Sequence, residues 1–270
     1  AYEEQPAIST TAAGTDGGKL VSAEQAAAII DSVSYSGLTP GKKFTLKGWL
    51  MDKPTGEKLL VDGKEVTAEK EFTPKESGGV EDMTFTFDAR QLGGHDVVVF
   101  EELYLDSQLV TGHANIEDIG QTVTIEEPQL KTTATINGEK EVDWQGEVTL
   151  TDTVLYTGLT PGKTYQVKGV LMDKSTDEKL LVDGKEVTAE AEFTPERADG
   201  SVDITFTFDI TGLKGKSIVA FETLYKDGVE LAVHADINDE DQTVKIIGPE
   251  IGTTATVDGK KEVDPLGEIT

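Results

Sequence analysis

Two sets of residues in this chain combine a carboxyl, an imidazole and a primary amide at fixed intervals. Glu101, His113 and Gln121 form the first set, and Glu222, His234 and Gln242 form the second, each 121 residues after its counterpart. The 270 residues contain only three histidines, so two at equivalent places single these positions out. Upstream of each set stand an aspartate (Asp31, Asp152) and a run rich in threonine. In chain order each repeat therefore offers Thr, Asp, Glu, His and Gln. Thr and His supply a hydroxyl nucleophile and its base, as in acyl transfer. The unusual member is Gln, whose side-chain amide is itself an acyl donor. Attack of a threonine hydroxyl on the Gln amide carbon expels ammonia and joins the two side chains by an ester. The imidazole takes the Thr proton and supplies one to the leaving amine. An Asp/Glu pair holding one proton between them donates to the developing oxyanion.

The elements that must position these groups read as short strands. A-I-S-T-T-A-A from Ala7 opens the first unit, L-K-T-T-A-T from Leu130 the second and I-G-T-T-A-T from Ile251 a third, each followed by a Gly-containing turn. Period-two alternation then puts Ile29, Asp31, Val33 and Tyr35 on one face, and Leu150, Asp152, Val154 and Tyr156 on its equivalent. Glu101 lies between Val99 and Leu103, and Glu222 between Ala220 and Leu224, on similar apolar rows. A carboxylate isolated on such a row is costly, so it is expected to be paired, hydrogen-bonded or protonated. Periodicity alone leaves open that both faces of these strands are partly wet. The segment from Ala23 to Ile30 has helix propensity, but its counterpart from Trp144 does not, and it is read as the approach to a strand. Strand length and spacing suit a β-sandwich of about seven to nine short strands per repeat.

Between Gly37 and Pro74, 30 of 38 residues match Gly158–Pro195, which makes a tandem array of similar domains. The division expected is a tail at 1–6, repeat one at 7–127, repeat two at 128–248 and the start of a third at 249–270. Each repeat is long enough to hold its own core.

These motifs carry a family resemblance. The T-T-A-T opening, the D-T-V strand, the V-A-F-E strand and the His-to-Gln spacing resemble the VaFE-type repeats, the Thr–Gln ester-bond domains of Gram-positive bacterial surface adhesins. The resemblance covers both repeats and the opening of the third. It implies an all-β, immunoglobulin-like sandwich that links itself in one autocatalytic turnover and is not an enzyme. It also implies a stalk segment of an extracellular, cell-wall-anchored adhesin whose ligand is bound elsewhere in the parent protein. By position, Thr10 and Thr132 are the nucleophiles and Gln121 and Gln242 the acceptors. Asp31, Glu101 and His113 assist in the first repeat, and Asp152, Glu222 and His234 in the second. Repeat one departs by reading V-V-F-E, and by an opening that slips one residue. Ile8 stands two before Thr10 as Leu130 stands two before Thr132, which favours Thr10, whereas Thr11 keeps the 121-residue offset. Thr253 takes the nucleophile position of the third repeat, without the Asp, Glu, His or Gln that would follow, and is expected to stay unlinked.

Composition narrows the alternatives. The net charge of −27 argues against nucleic acid and anionic membrane as partners. Acidic surfaces keep an exposed protein soluble; a calcium role has no D-x-D-x-D-G spacing behind it, although the acidic loop 238–241 offers oxygens. No cofactor and no resident metal are expected, and neighbouring repeats are the expected contacts. There is no cysteine, no apolar run of membrane-spanning length, no signal peptide and no wall-sorting motif. The last 18 residues, Thr253 to Thr270, restart the repeat and stop, so a fragment of a longer chain is expected. Three rivals remain. A ligand-binding sandwich would display aromatic residues, which make up 6% of the chain. A Lys–Asn isopeptide domain would need a lysine such as Lys131, whose counterpart is Ser9. A hydrolase would need turnover on an added substrate. His95, opposite Lys216 in the second repeat, reads as surface, and Trp49 and Trp144 as packing or inter-repeat contacts.

Overall fold

Alternation of apolar residues with Thr, Lys and Glu sets the strands, and Gly-, Pro- and Asp-rich turns end them. The computed structural model describes residues 5–248, 252–256, 259 and 260. The first domain runs through β1 (Ala7–Gly14), β2 (Leu20–Val21), β3 (Ala27–Ser36), β4 (Phe44–Asp52), β5 (Glu57–Lys58) and β6 (Leu60–Val61). It continues with β7 (Lys64–Glu65), β8 (Thr67–Phe72), β9 (Gly79–Phe87), β10 (Asp96–Leu105), β11 (Gln108–His113) and β12 (Thr122–Ile125). The second runs through β13 (Gln129–Ile136), β14 (Glu141–Asp143), β15 (Glu147–Thr157), β16 (Tyr165–Asp173), β17 (Glu178–Lys179) and β18 (Leu181–Val182). It ends with β19 (Lys185–Glu186), β20 (Thr188–Phe193), β21 (Gly200–Asp209), β22 (Ser217–Lys226), β23 (Val229–His234) and β24 (Thr243–Ile247). Among the described residues there is no helix, and the chain is all-β, two sandwiches in tandem. The segment from Ala23 passes through a turn and becomes strand at Ala27, so burial of its apolar side chains overrides local helix preference.

Each sandwich sets a three-stranded sheet against a larger one. In the first domain the small sheet has the order β1-β3-β9. The large sheet has the order β2-β12-β10-β4-β5, with β11 also on β10 and β8 also on β4. The second domain repeats this as β13-β15-β21 against β14-β24-β22-β16-β17, with β23 on β22 and β20 on β16. Strands of three residues or more number eight in the first domain and nine in the second. The two-residue strands β6 and β7 close around the V-D-G-K turn. There Asp62 and Gly63 both take positive φ, 49° and 75°, the combination a two-residue type I′ hairpin needs.

The inward residues of the two sheets meet in a core, with a smaller cluster around Tyr156, Leu159, Tyr165 and Leu224 beside it in the second domain. Ile29, Val33 and Phe85 from the small sheet pack with Leu46, Leu50, Val99 and Leu103 from the large one, all fully buried. Full burial of such side chains contributes roughly 1.5–3 kcal/mol each. Among the buried polar side chains are Thr10, Asp31, Glu101 and Gln121 in the first domain and Thr132, Asp152, Glu222 and Gln242 in the second. Most of the expected tail (1–6) and of the restarted repeat (249–270) lies outside the described residues; Thr253 is described, exposed and outside any strand.

Candidate functional site

The site lies between the sheets, and register assembles it. On the small sheet Thr10 pairs with Val33, and Ala12 with Asp31, which in turn faces Met83 on β9. On the large sheet Glu101 lies between His113 on β11 and Gly48 on β4. The second domain has the same rows: Thr132 with Val154, Ala134 with Asp152 and Ile204, and His234 with Glu222 and Gly169. Thr10 and Thr132 thus hold the same register, and Thr10 is buried while Thr11 is exposed. The one-residue slip arises in the following turn, which closes from Gly14 to Gly18 in the first domain but from Ile136 to Glu139 in the second.

Gln121 and Gln242 stand one residue ahead of β12 and β24, and both are fully buried. Backbone bonds hold them: the Val99 amide donates to the Gln121 carbonyl at 3.1 Å, and the Ala220 amide to the Gln242 carbonyl at 3.1 Å. A second pair joins the sheets beside the site, from the Ala12 amide to the Gly120 carbonyl (3.0 Å) and from the Ala134 amide to the Asp241 carbonyl (2.9 Å).

The glutamate brings threonine and glutamine together. Thr132 Oγ1 donates to Glu222 Oε2 at 3.1 Å, and Gln242 Nε2 donates to the same oxygen at 3.2 Å. In the first domain Thr10 Oγ1 donates to Glu101 Oε2 at 3.4 Å, and Gln121 Nε2 donates to Glu101 Oε1. Burial, reinforced by the neighbouring aspartate, holds Glu101 and Glu222 protonated far above the usual carboxyl range, and burial raises Asp31 and Asp152 as well. Both oxygens of Asp31 and of Asp152, and Glu222 Oε1, are buried without a donor. A proton carried on the glutamate and directed at the aspartate gives one aspartate oxygen a donor, so each pair is described as one neutral and one charged acid sharing a proton. Gln121 Oε1 and Gln242 Oε1, the atoms on which negative charge would grow, are also buried and without donors.

Gly48 and Gly169 keep the acids dry. A Cβ on Gly48 would come within 2.6 Å of Phe85 Cζ and 2.8 Å of Met83 Cε, and one on Gly169 within 2.5 Å of Phe206 Cζ. Absence of a side chain lets these rings close over the position beside each glutamate.

The histidines are near but not in direct contact. His113 Nε2 is 2.6 Å from Asp118 Oδ2, and His234 Nε2 is 2.8 Å from Asp239 Oδ2, while no hydrogen bond joins either imidazole to its threonine. The threonine hydroxyls bond to glutamate instead. Asp118 was not among the residues singled out from sequence, and Asp239 entered only as part of the acidic loop 238–241, though each follows its histidine by five residues. Their roles follow from geometry: a carboxylate on one ring nitrogen fixes the tautomer and leaves the other nitrogen as acceptor. The hydrogen bond from His113 holds the Asp118 carboxyl below its ordinary range.

Other sequence expectations resolve as follows. His95 is not simply surface: its Nδ1 lies 2.9 Å from Asp52 Oδ1, and Lys216 makes the equivalent contact with Asp173, so both repeats keep a donor there. Trp49 packs edge-on to Phe100 in its own domain, at 6.2 Å, with Lys58 Nζ 5.5 Å from its ring. Trp144 packs against the second core. Lys131 is exposed on the outer face of β13, away from any isopeptide geometry. In the acidic loop, Asp236 Oδ1 and Asp239 Oδ1 accept from the amides of Asn238 and Asp241. Among the described residues no group of three or more His, Cys, Asp or Glu is placed to hold a metal ion.

Compared with known proteins, residues 6–125 and 128–246 each match the family described as the T-Q ester bond containing domain. No curated protein matches the chain. Among solved structures, the chain is similar to a bacterial adhesin from Mobiluncus mulieris containing intramolecular disulfide, isopeptide and ester bond cross-links. In one crystal form the identity is 15%, over 83% of this chain and 82% of that one, with a TM-score of 0.43. In a second form the identity is 14% over the same shares, with a TM-score of 0.40. Red sea bream transglutaminase is similar at 12% identity, over 92% of this chain and 32% of the enzyme, with a TM-score of 0.32.

Proposed function

The chain belongs to the T-Q ester bond containing domain family, and we propose that its two domains form the esters Thr10–Gln121 and Thr132–Gln242 as stalk units of an extracellular, cell-wall-anchored adhesin. The observation that carries the assignment is Glu222 Oε2, which accepts from both the Thr132 hydroxyl and the Gln242 amide at 3.1 and 3.2 Å in a fully buried site. One neutral acid thereby holds nucleophile and acyl donor side by side, which removes the entropic cost of bringing them together.

The chemistry balances within the chain. The threonine Oγ bonds to the glutamine Cδ while the hydroxyl proton passes to the imidazole, oriented by Asp118 or Asp239. The tetrahedral oxyanion on Oε1 is stabilised by the proton the acid pair shares, which stays with the pair as the carbonyl re-forms. The Cδ–N bond then breaks, the amine takes a proton from the imidazole, and ammonia leaves. The threonine and the glutamine are both consumed, so each domain turns over once and the chain is no enzyme. Exclusion of water favours aminolysis-free, hydrolysis-free closure and then protects the ester.

Closing a loop of about 110 residues removes denatured-state entropy worth roughly 4–5 kcal/mol on the scale used for disulfides. The bond also ties the small sheet to the large one, so tension on the chain meets a covalent link before the strand hydrogen bonds. The test is the intact mass of the purified chain, expected to fall short of the translated mass by two molecules of ammonia. Peptide mapping should join Thr10 to Gln121 and Thr132 to Gln242 and leave Thr253 free. A mass equal to the translated sequence would end this reading.

A further inference from the structure

Thr and Gln belong to different sheets, so something must hold the sheets in register at the site before any covalent bond exists. Two lysines do this in the same way. Lys19 Nζ donates to the Ala12 carbonyl at 2.5 Å and to the Gly120 carbonyl at 2.6 Å. Lys140 Nζ donates to the Ala134 carbonyl at 2.6 Å and to the Asp241 carbonyl. Ala12 and Ala134 lie two residues after the threonines, and Gly120 and Asp241 immediately precede the glutamines. Each ammonium therefore spans from the nucleophile strand to the acceptor loop.

The lysine backbone is anchored too. The Thr124 amide donates to the Lys19 carbonyl at 2.8 Å and the Lys245 amide to the Lys140 carbonyl at 2.8 Å, so each lysine is fixed to the last strand while its head grips the other two segments. The sequence repeats the device: Lys19, Lys140 and Lys261 are spaced by 121 residues, the last lying outside the described residues. Burial pulls both ammonium groups below the ordinary lysine range, opposed by Asp118 and Asp31 around Lys19 and by Asp241, Asp152, Asp239 and Glu240 around Lys140.

We propose that Lys19 and Lys140 are positioning residues for ester formation, each clamping the threonine strand to the glutamine loop through two backbone carbonyls. A charge-assisted donor on a carbonyl is a strong bond, and here it acts where misplacement of the reacting atoms by about 1 Å costs on the order of a hundredfold in rate. The clamp touches neither reacting atom. This inference rests on the ester-forming reading, and its test separates the two.

The full chain is synthesised in a cell-free system and quenched with acid at intervals, and ammonia loss is assigned to each domain by peptide mapping. If the parent chain links neither domain, the ester reading itself fails. If the parent links both, Lys140→Met should slow the second domain at least about tenfold while the first keeps its rate, and Lys19→Met should do the converse. Lys140→Arg, which keeps a cationic donor, should recover most of the rate. Thr132→Ala and Thr132→Ala/Lys140→Met, neither able to link the second domain, report whether that domain still folds without the lysine. Parent-like linking in Lys140→Met overturns the proposal. So does a slowed Lys140→Met without rescue by arginine, or with loss of folding in the double variant, because the lysine is then structural only.

Discussion

The two domains carry the same acids, amide and imidazole in the same register, yet their threonines are not held equally. Thr132 is fully buried, 3.1 Å from the glutamate oxygen that also receives Gln242. Thr10 keeps 7% of its surface, at 3.4 Å from one glutamate oxygen while Gln121 bonds to the other. The backbone of the acceptor side is the same in both, because β10–β12 and β22–β24 pair identically up to the glutamine. On the nucleophile side, the turn that follows the strand is one residue longer in the first domain. Sheet register places the reacting groups, and the two domains differ in the length of the hairpin that follows the nucleophile strand.

The largest effect expected comes from removing one nucleophile at a time. Thr132→Ala should leave the second domain folded but unlinked and lower its stability by roughly 4–5 kcal/mol; Thr10→Ala should do the same to the first. Calorimetry should then show the order of unfolding of the two domains set by which threonine was removed. An unchanged transition in either variant would show that domain to be unlinked in the parent.

Next is the acid pair. Glu101→Gln and Glu222→Gln keep the shape but lose the shared proton, and each should slow linking in its own domain by about 10²–10⁴-fold, the usual scale for a general acid. Ammonia release per domain over time reads this. Unequal losses in the two domains would break their equivalence.

Below that lies a pH effect, best seen in Thr132→Ala, where the ester is absent. Glu222 keeps its proton in the folded domain up to about 10, whereas an unfolded glutamate releases it near 4.5. The folded state therefore binds the extra proton. The contribution of the pair is complete below 4.5, declines as pH rises above it, and is gone as pH passes through the folded value, with a slope of at most about 1.4 kcal/mol per pH unit. Chemical denaturation across pH 4 to 9 should show this decline in the second domain, and adding Glu222→Gln should remove it.

The smallest effect sharpens the comparison itself. The slacker Thr10 should make the first domain link a fewfold more slowly than the second, and shortening the turn at 15–18 by one residue should bring the two rates together. Equal rates in the parent chain would mean that the difference of 0.3 Å in threonine contact has no kinetic weight.

Much of this arrangement was legible in the sequence, for identifiable reasons. Asp31, Glu101 and their counterparts sit on apolar rows where a charge has no ordinary place, so alternation exposed them. The duplicate at 121 residues exposed His113 and Gln121. What stayed hidden was whatever looks ordinary locally. Asp118 and Asp239 sit in acidic loops, Lys19 and Lys140 follow Gly-rich turns, and Gly48 breaks an otherwise normal strand. Each matters only through a partner far along the chain, which composition and periodicity do not report. The direct bond from threonine to glutamate, in place of histidine, was hidden for the same reason.

The rings that close over Gly48 and Gly169 have a further consequence, for how the proposed bond ages. An ester under Phe85 or Phe206 meets hydroxide or hydroxylamine only when the sheets part, so its half-life follows the frequency of that excursion. Cleavage cannot be undone, because the ammonia is gone and the glutamine has become a carboxylate, or a hydroxamate where hydroxylamine attacked. Each molecule therefore keeps a permanent tally of whether it has ever opened. In a population of old and new chains, the fraction cleaved would date the exposure of each domain to disruption, as a dosimeter does.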